Sequence, residues 1–255
     1  MKVTHCFSCG CGGQPSHSVT RNWGVGPALF SPRAGTRRLL AALLLLLPRL
    51  LLAQTSTEAA PPVAPDSVAA TLLTDVQSLD STILVEARYA TPRNFTGAVL
   101  PGYEANRAFL RREAALALAR VQRRLRTGGM GLKIFDGYRP VRATQAMVAW
   151  AERTGQMHLI RDGYIASHSR HNLGLAVDLT LVDWSVGGRE VDMGTPFDTF
   201  SPAAHYGNAS GRTMRYRELL RHAMEEEGFK QYEAEWWHYS YEVPGPPVAF
   251  DRVVK

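Results

Sequence analysis

The sequence predicts one α+β domain with a mostly antiparallel sheet flanked by helices. Stretches whose apolar residues recur at helical spacing are interspersed with short β-prone stretches. They follow no regular β-α-β rhythm, and the glycine fingerprint of dinucleotide-binding domains is missing from the sequence. The chain has 255 residues, of which 45% are hydrophobic and 20% are charged, so one sizeable hydrophobic core is expected.

Three helices are predicted from the spacing of apolar residues. The first covers Glu104–Thr127, where a pair of glycines ends it. The second runs from about Arg142 to Gly155, after a turn that contains a proline. The third covers Thr213–Glu227 and is ended by Gly228.

Three strands are predicted around these helices. Leu132–Phe135 is β-prone, and it leads into the turn before the second helix. Leu175–Val182 alternates and is rich in β-formers, so Asp178 should lie on a strand and His171 in the loop before it. A last strand is expected through Trp236 to Val243.

The basic character of the chain is confined to its N-terminal part. The formal net charge is +6, but residues 1–53 hold six of the 29 Lys and Arg residues and no Asp or Glu. The rest of the chain carries 23 basic and 23 acidic residues, so we expect no nucleic-acid partner.

Residues 1–53 are predicted to be a leader and signal peptide. Arg37 and Arg38 precede a leucine-rich run that ends in Ala53, which is typical of a secretory signal cleaved after that alanine. The run is interrupted at Arg49 and is too short to span a bilayer comfortably. The alternative is an uncleaved membrane anchor, which would then be the contact of the chain with a membrane. The domain is expected to be exported and periplasmic.

Residues 54–65 are polar and rich in proline and predict a linker, so the folded domain should cover residues 66–255. Three cysteines, Cys6, Cys9 and Cys11, precede the leucine run and have no partner ligands elsewhere that would indicate a metal site. The exported domain would contain no cysteine and would need no disulfide.

Two short stretches carry the residues of a mononuclear zinc hydrolase. The first supplies His171 and Asp178, and the second supplies His238 together with a spare carboxylate at Glu235. A catalytic zinc has three protein ligands and one open position for water. We therefore predict His171, Asp178 and His238 as ligands of one Zn²⁺ per chain and Glu235 as the general base.

Each of these residues alone has an ordinary role, because a lone His is usually a surface or core residue and a strand Asp can simply pair with an Arg. Together they are harder to account for without a metal. Asp178 follows three apolar residues, and an aspartate in such surroundings needs a strong partner to offset its desolvation. Gly174 permits a close backbone approach, and Trp236 and Trp237 can exclude water. Divalent ions other than zinc also suit a site of two His and one Asp.

The spacing Ser-x-His-x₆-Asp, with a later Glu-x-x-His, resembles that of the zinc D-alanyl-D-alanine dipeptidases, which share a fold with D,D-carboxypeptidases. The resemblance covers roughly residues 75–251. It extends to further segments typical of these dipeptidases, namely Arg88–Thr91, Asn94–Gly97, Asp136–Pro140, Met193–Gly194, Phe197–Asp198 and Glu235–Tyr239. The resemblance implies a zinc site in a central cleft, with the same three ligands and the same general base.

The resemblance also implies roles toward the substrate. Arg139 would stabilise the carbonyl oxygen as negative charge develops on it. Asp198 and Tyr89 would engage the free amino terminus, and Ser169 would lie near the carboxylate. The alternatives are that Arg139 is a turn residue paired with Asp136, and that Asp198 only caps or pairs within a loop.

The leading hypothesis is an exported zinc metallopeptidase that hydrolyses a small dipeptide, D-alanyl-D-alanine, to free D-alanine. The enzymatic alternative is a D,D- or L,D-carboxypeptidase that acts on peptidoglycan peptides. The alternative from another class is a binding module that has lost catalysis, against which the complete set of metal and catalytic residues argues. His168 adds an imidazole that departs from the family pattern, and we predict that it is a bystander.

Overall fold

The computed structural model describes residues 60–246 and 248–255. The predicted leader and signal peptide at residues 1–53, with its three cysteines, lies outside these residues, as does the first part of the predicted linker. In the ranges that the structure describes, the helices are all too short or too polar to cross a membrane.

The described residues form ten β-strands and five α-helices. The strands are β1 (Val63–Ala64), β2 (Leu73–Asp75), β3 (Leu84–Val85), β4 (Phe109–Arg111), β5 (Met130–Asp136), β6 (Ala176–Asp183), β7 (Arg189–Glu190), β8 (Lys230–Tyr232), β9 (Glu235–Ser240) and β10 (Ala249–Phe250). The helices are α1 (Asp66–Leu72), α2 (Arg112–Thr127), α3 (Val141–Arg153), α4 (His158–Arg161) and α5 (Gly211–Glu225).

The main sheet has the strand order β3-β5-β6-β9-β8, and β7 pairs with an end of β6. Its pairings are antiparallel except for β3 with β5, which is parallel. The sheet is therefore mixed, but four of its five pairings are antiparallel, in agreement with the mostly antiparallel sheet that the sequence predicted. A parallel pair needs a long crossover, and residues 86–129, which include α2, provide it between β3 and β5.

Strand β6 is buried on both of its faces. Val177, Leu179 and Leu181 belong to one hydrophobic cluster with Leu118 of α2 and Leu220 of α5. Because side chains alternate along a strand, Asp178 lies on the opposite face from these three residues. The core that holds β6 in place therefore also fixes the direction of the Asp178 side chain.

The predicted elements are present, with one large shift of a boundary. Helix α2 begins at Arg112, not at Glu104 as predicted, because β4 (Phe109–Arg111) pairs with β2 and keeps the chain extended up to that point. Helices α3 and α5, and strands β5, β6 and β9, agree with the predictions to within a few residues. Strand β8 was not predicted, and it is a short partner at the edge of the sheet beside β9.

The stretch predicted as a linker contributes to a small sheet. Val63 and Ala64, which form β1, pair in parallel with Ala249 and Phe250 of β10. The backbone N–H of Ala249 also donates to the carbonyl oxygen of Pro62 at 3.0 Å. Two residues before Asp66, where the domain was predicted to start, thus already pair with its last strand.

Gly174 follows the 3₁₀ turn Arg170–Leu173 and precedes β6, and its φ is +66°. A Cβ atom at this position would lie 2.6 Å from Leu73 Cδ2 and 3.1 Å from the backbone nitrogen of Arg111. The Arg111 N–H also donates to the Gly174 carbonyl at 2.8 Å. Glycine is therefore required here both by its left-handed backbone and by the close approach of β4, as the sequence predicted.

We predict that Gly174→Ala lowers the free energy of unfolding by about 3 kcal/mol, because a left-handed alanine and overpacking each cost about 1–2 kcal/mol. Gly155 is the matched control, since its φ is +72° but a Cβ atom there would meet no atom within 4 Å. Gly155→Ala should cost only the backbone strain, about 1–2 kcal/mol. Urea denaturation of both variants measures the difference, and equal losses would contradict the close contact at Gly174.

Candidate active site

One cavity of about 320 Å³ opens on the face of the sheet that carries Asp178. All eight side chains that the sequence singled out for the site line it: Tyr89, Arg139, Ser169, His171, Asp178, Asp198, Glu235 and His238. These residues come from segments that are far apart in the sequence, so the fold alone brings them together.

The centre of the cavity is built on three neighbouring strands. Asp178 on β6 lies opposite Asp136 on β5 and opposite His238 on β9. His171 comes from the 3₁₀ turn just before β6, where Ser169 caps the turn and Gly174 ends it. The imidazole of His171 thereby reaches over the start of β6 toward the other two side chains.

Donor atoms of these three side chains lie close together. His171 Nε2 is 3.4 Å from Asp178 Oδ2 and 3.3 Å from His238 Nδ1. His238 Nδ1 is 2.9 Å from Asp178 Oδ1. His171 and Asp178 are buried and His238 is partly buried. The three residues can hold one metal ion, as the sequence predicted from their spacing.

A hydrogen bond on its far side fixes the orientation of the His171 ring. Its Nδ1 donates to the carbonyl oxygen of Gly137 at 2.7 Å, which leaves the lone pair on Nε2 facing the other donors. The backbone of the turn is held by a capping box, in which Ser169 Oγ accepts from the His171 N–H at 3.2 Å and Asn172 Oδ1 accepts from the Ser169 N–H at 3.1 Å.

The carboxylate of Asp178 is a buried negative charge at the centre of the cavity. Burial alone would disfavour its charged form, but the charges of His171 and His238 and their hydrogen bonds outweigh burial and lower the pKa of Asp178. The site is thus built to keep this carboxylate ionised, which suits a metal ligand.

Glu235, at the start of β9, is the second carboxylate of the centre. It is buried, and its Oε2 lies 3.8 Å from His238 Nδ1. Burial, together with the charges of Asp178 and Asp198, raises the pKa of Glu235 well above its ordinary value. A carboxylate with a raised pKa can accept a proton near neutral pH and pass it on.

Arg139 lies at the edge of the centre, with its guanidinium held from two directions. Its Nε and Nη2 donate to Asp136 Oδ2 at 2.9 and 2.7 Å, and its guanidinium stacks over the ring of Tyr89 at 5.0 Å. Nη2 is also 3.8 Å from Asp178 Oδ2. The pairing with Asp136, which was the alternative for this residue, is present, and it directs the guanidinium into the cavity.

Asp136 contacts further residues of the site besides Arg139. Its Oδ1 accepts from the Tyr103 hydroxyl at 2.5 Å, and its Oδ2 lies 3.4 Å from His171 Nδ1. Its position three residues before Arg139 was visible in the sequence. No sequence signal pointed to Tyr103, which directly precedes the helix predicted over Glu104–Thr127.

Asp198 forms a separate acidic position in the same cavity. Its φ is +62°, in the left-handed region that non-glycine residues rarely adopt, and its Oδ1 accepts from the Tyr89 hydroxyl at 3.0 Å. Its Oδ2 is buried and has no hydrogen-bond partner among the described residues. Burial and the charge of Asp178 raise the pKa of Asp198 to about 8. A cationic group beside Oδ2 would restore its charge and satisfy it.

His168 also lines the cavity, but it lies apart from the group of metal donors. It is exposed, and its Nδ1 lies 3.3 Å from the hydroxyl of its neighbour Ser167. Its placement is compatible with the bystander role that the sequence predicted.

Searches of solved structures find partial likenesses to peptidases. The D,D-dipeptidase VanXYg in complex with a D-Ala-D-Ala phosphinate analogue is 20% identical, with a TM-score of 0.37 over 67% of this chain and 66% of that chain. The LD-carboxypeptidase LdcB is 20% identical, with a TM-score of 0.37 over 52% of this chain and 59% of that chain.

Comparisons of the amino-acid sequence find relatives of higher identity. The family model described as D-ala-D-ala dipeptidase, peptidase M15, matches residues 69–251. The D-alanyl-D-alanine dipeptidase of Enterococcus faecium is 37% identical over 186 residues, which cover 67% of this chain and 92% of that protein. The dipeptidase of the same name from Streptomyces coelicolor is 35% identical over 192 residues, which cover 69% and 95%. The chain therefore belongs to the D-Ala-D-Ala dipeptidase family of M15 peptidases and is a metallopeptidase.

Proposed function

We propose that this protein hydrolyses D-alanyl-D-alanine to free D-alanine, with a zinc ion held by His171, Asp178 and His238 and with Glu235 as the general base. The observation that carries the proposal is the single cavity that contains both a cluster of three metal donors and, beside it, the buried carboxylate of Asp198 without a second partner. The names of the sequence relatives support the same substrate.

The donor set fits zinc. Zinc–ligand bonds of about 2.0–2.1 Å at tetrahedral angles place ligand atoms about 3.3 Å from one another. The distances of 3.3 and 3.4 Å from His171 Nε2 to His238 Nδ1 and to Asp178 Oδ2 match this value, and the other oxygen of the same carboxylate, Asp178 Oδ1, lies 2.9 Å from His238 Nδ1. When bound, the ion would supply Lewis-acid activation of water and of the substrate carbonyl.

The protein groups around the donors supply the proton transfer and the charge stabilisation. Glu235 would take the proton of the attacking water and give it to the leaving amine, which its raised pKa favours. Arg139, fixed by Asp136, would donate to the carbonyl oxygen as negative charge develops there. Because Asp136 occupies only Nε and one side of Nη2, the guanidinium keeps further N–H groups for the substrate.

Asp198 would select a substrate with a free amino terminus. An ammonium group beside its Oδ2 satisfies a buried acceptor with a charged donor, whereas an acylated amine has lost its charge, keeps only one N–H and adds the bulk of the acyl group. Tyr89 holds the other oxygen and so fixes the direction of the carboxylate. This selection distinguishes a dipeptidase from a carboxypeptidase, whose substrates continue beyond that amine.

We predict that the purified domain binds one zinc ion per chain and that His171→Ala reduces the bound zinc to a small fraction of that. The reason is that a site with two remaining ligands loses most of its affinity. His168→Ala is the matched control, since this imidazole lines the same cavity but lies outside the donor group. Metal analysis after dialysis measures both, and loss of zinc from the His168 variant would show that the ligands are assigned wrongly.

We predict that Glu235→Gln retains zinc and lowers kcat by about 10²- to 10⁴-fold, the usual contribution of a general base. Glu233→Gln is the control, because Glu233 is an exposed neighbour on the turn before β9. Release of D-alanine and metal content are measured on the same preparations. If the Glu235 variant keeps full turnover, another group must act as the base.

We predict that the enzyme cleaves D-alanyl-D-alanine but not its N-acetylated form, and that Asp198→Asn reduces cleavage of the free dipeptide by about 10- to 100-fold, because a charge-assisted hydrogen bond is lost. Release of D-alanine from the two compounds is the measurement. Efficient cleavage of the N-acetylated dipeptide would identify a carboxypeptidase instead, and would remove the proposed role of Asp198.

A further inference from the structure

We propose that Phe197 is a positioning residue for substrate selection, because the packing of its ring holds the neighbouring Asp198 in the left-handed conformation that keeps its carboxyl group in the cavity. Asp198 lines the active-site cavity, whereas the ring of Phe197 packs behind it against the core. The inference rests on the proposed function, since it concerns the residue to which the amino terminus of the dipeptide is assigned.

The turn that carries Asp198 is weakly held by its own backbone. In the part of the chain that the structure describes, neither Phe197 nor Asp198 takes part in a hydrogen bond between backbone groups. Thr199 Oγ1 donates to the carbonyl oxygen of Pro196 at 2.9 Å and closes the turn around them. The φ of +62° at Asp198 is disfavoured for a residue with a Cβ atom. Its conformation therefore depends on side-chain contacts.

The same turn lies between cavities, so protein atoms cover only part of it. Asp198 lines the active-site cavity, Phe197 lines a second cavity of about 330 Å³, and both line a third cavity of about 250 Å³. A segment with few packed neighbours is restrained by few contacts and opens more readily. The contacts that the Phe197 side chain does make thus carry much of the restraint on this turn.

Three aromatic rings surround the ring of Phe197. It stacks on Phe135 with the ring centres 4.8 Å apart, and it meets Trp237 nearly edge-on at 5.4 Å. The ring of Tyr89, whose hydroxyl donates to Asp198, lies 6.1 Å away. Aromatic pairs at these distances are favourable beyond the area that they bury. Phe197 thereby packs against both of the larger hydrophobic clusters of the domain.

Two of these rings belong to the strands that flank β6. Phe135 lies on β5 at a bulge in its pairing with β6, and Trp237 lies on β9 directly before the metal donor His238. Bulges commonly redirect side chains next to functional sites. Because Phe197 is packed on both strands, its position sets the distance between the carboxyl group of Asp198 and the metal donors.

The test compares D-alanyl-D-alanine with D-lactoyl-D-alanine, in which a hydroxyl group replaces the ammonium group. Calorimetry gives Kd for both compounds on zinc-loaded Glu235→Gln protein, with Phe197 intact or changed. With Phe197 intact, we expect tighter binding of the amine. Phe197→Leu should raise Kd for the amine by about 10- to 100-fold and change Kd for the hydroxyl compound little, because a charge-assisted hydrogen bond is lost.

Two further variants separate positioning from loss of packing. Phe197→Tyr keeps the aromatic ring and should restore most of the preference for the amine. Phe200→Leu is the matched control, since Phe200 follows in the same loop and lines the cavity, but its ring packs on Phe95 at 5.0 Å and Tyr164 at 5.8 Å. This control should change the two Kd values by a similar factor. Phe197→Met replaces the leucine variant if that variant does not fold.

The ratio of the two Kd values is the decisive quantity, because unfolded protein lowers the number of binding sites and not their affinity. An unchanged ratio in Phe197→Leu, or equal binding of both compounds with Phe197 intact, would overturn the inference. Loss of the preference in Phe197→Tyr as complete as in Phe197→Leu would also overturn it, because aromatic packing would not be the cause.

Release of D-alanine by the protein with intact Glu235 tests the proposed function separately. If that protein prefers the amine compound in a manner that depends on Phe197 but cleaves neither compound, the proposed function fails and the inference stands. If it cleaves D-alanyl-D-alanine while the ratio is insensitive to Phe197, the inference fails and the proposed function stands. If it binds neither compound, both fail.

Discussion

The register in which β6 pairs with β5 and β9 is the constraint on which the rest of the site depends. It puts Asp178 beside Asp136 on one strand and beside His238 on the other. A slip by one residue would turn Asp178 toward the helices and leave a charge among apolar side chains. The buried Val177 and Leu179 oppose such a slip, because they would leave the core. The register of β6 therefore determines both the packing of the core and the geometry of the metal donors.

Carboxyl groups are concentrated in the cavity, and the chain supplies only part of the positive charge that would keep all of them ionised. Asp178, Asp198 and Glu235 line one volume, and burial together with their mutual repulsion raises the pKa of Asp198 and of Glu235. Arg139 offsets some of this charge but is shared with Asp136. A divalent cation at the donor cluster and an ammonium group at Asp198 would favour the ionised form of these carboxyl groups. The charges of the cavity wall therefore favour cationic ligands.

The metal donors could be predicted from the sequence because their spacing is local to two short stretches, and because an aspartate after three apolar residues needs a strong partner such as a metal ion. The start of α2 could not be predicted in this way. Helix propensity favours a start at Glu104, but the pairing of β4 with β2 keeps the chain extended and delays the helix. Tyr103 was equally invisible, since its hydroxyl donates to Asp136, a residue distant in sequence that a pattern search cannot connect with it. Site residues within a short stretch could therefore be predicted from the sequence, whereas contacts between distant segments could not.

The turn that carries Arg139 is held by contacts with the C-terminal segment of the chain. The hydroxyl of Tyr138 donates to the carbonyl oxygen of Arg252 at 2.9 Å, and Arg142 Nε donates to Asp251 at 3.0 Å. The residues on both sides of Arg139 are thus tied to the last residues of the chain. Electrostatic stabilisation requires a donor that is fixed before the reaction, because a mobile guanidinium would have to be ordered during it. The described residues of the C-terminal segment contribute no side chain to the cavity wall, but they hold the turn in place and so would support the role proposed for Arg139.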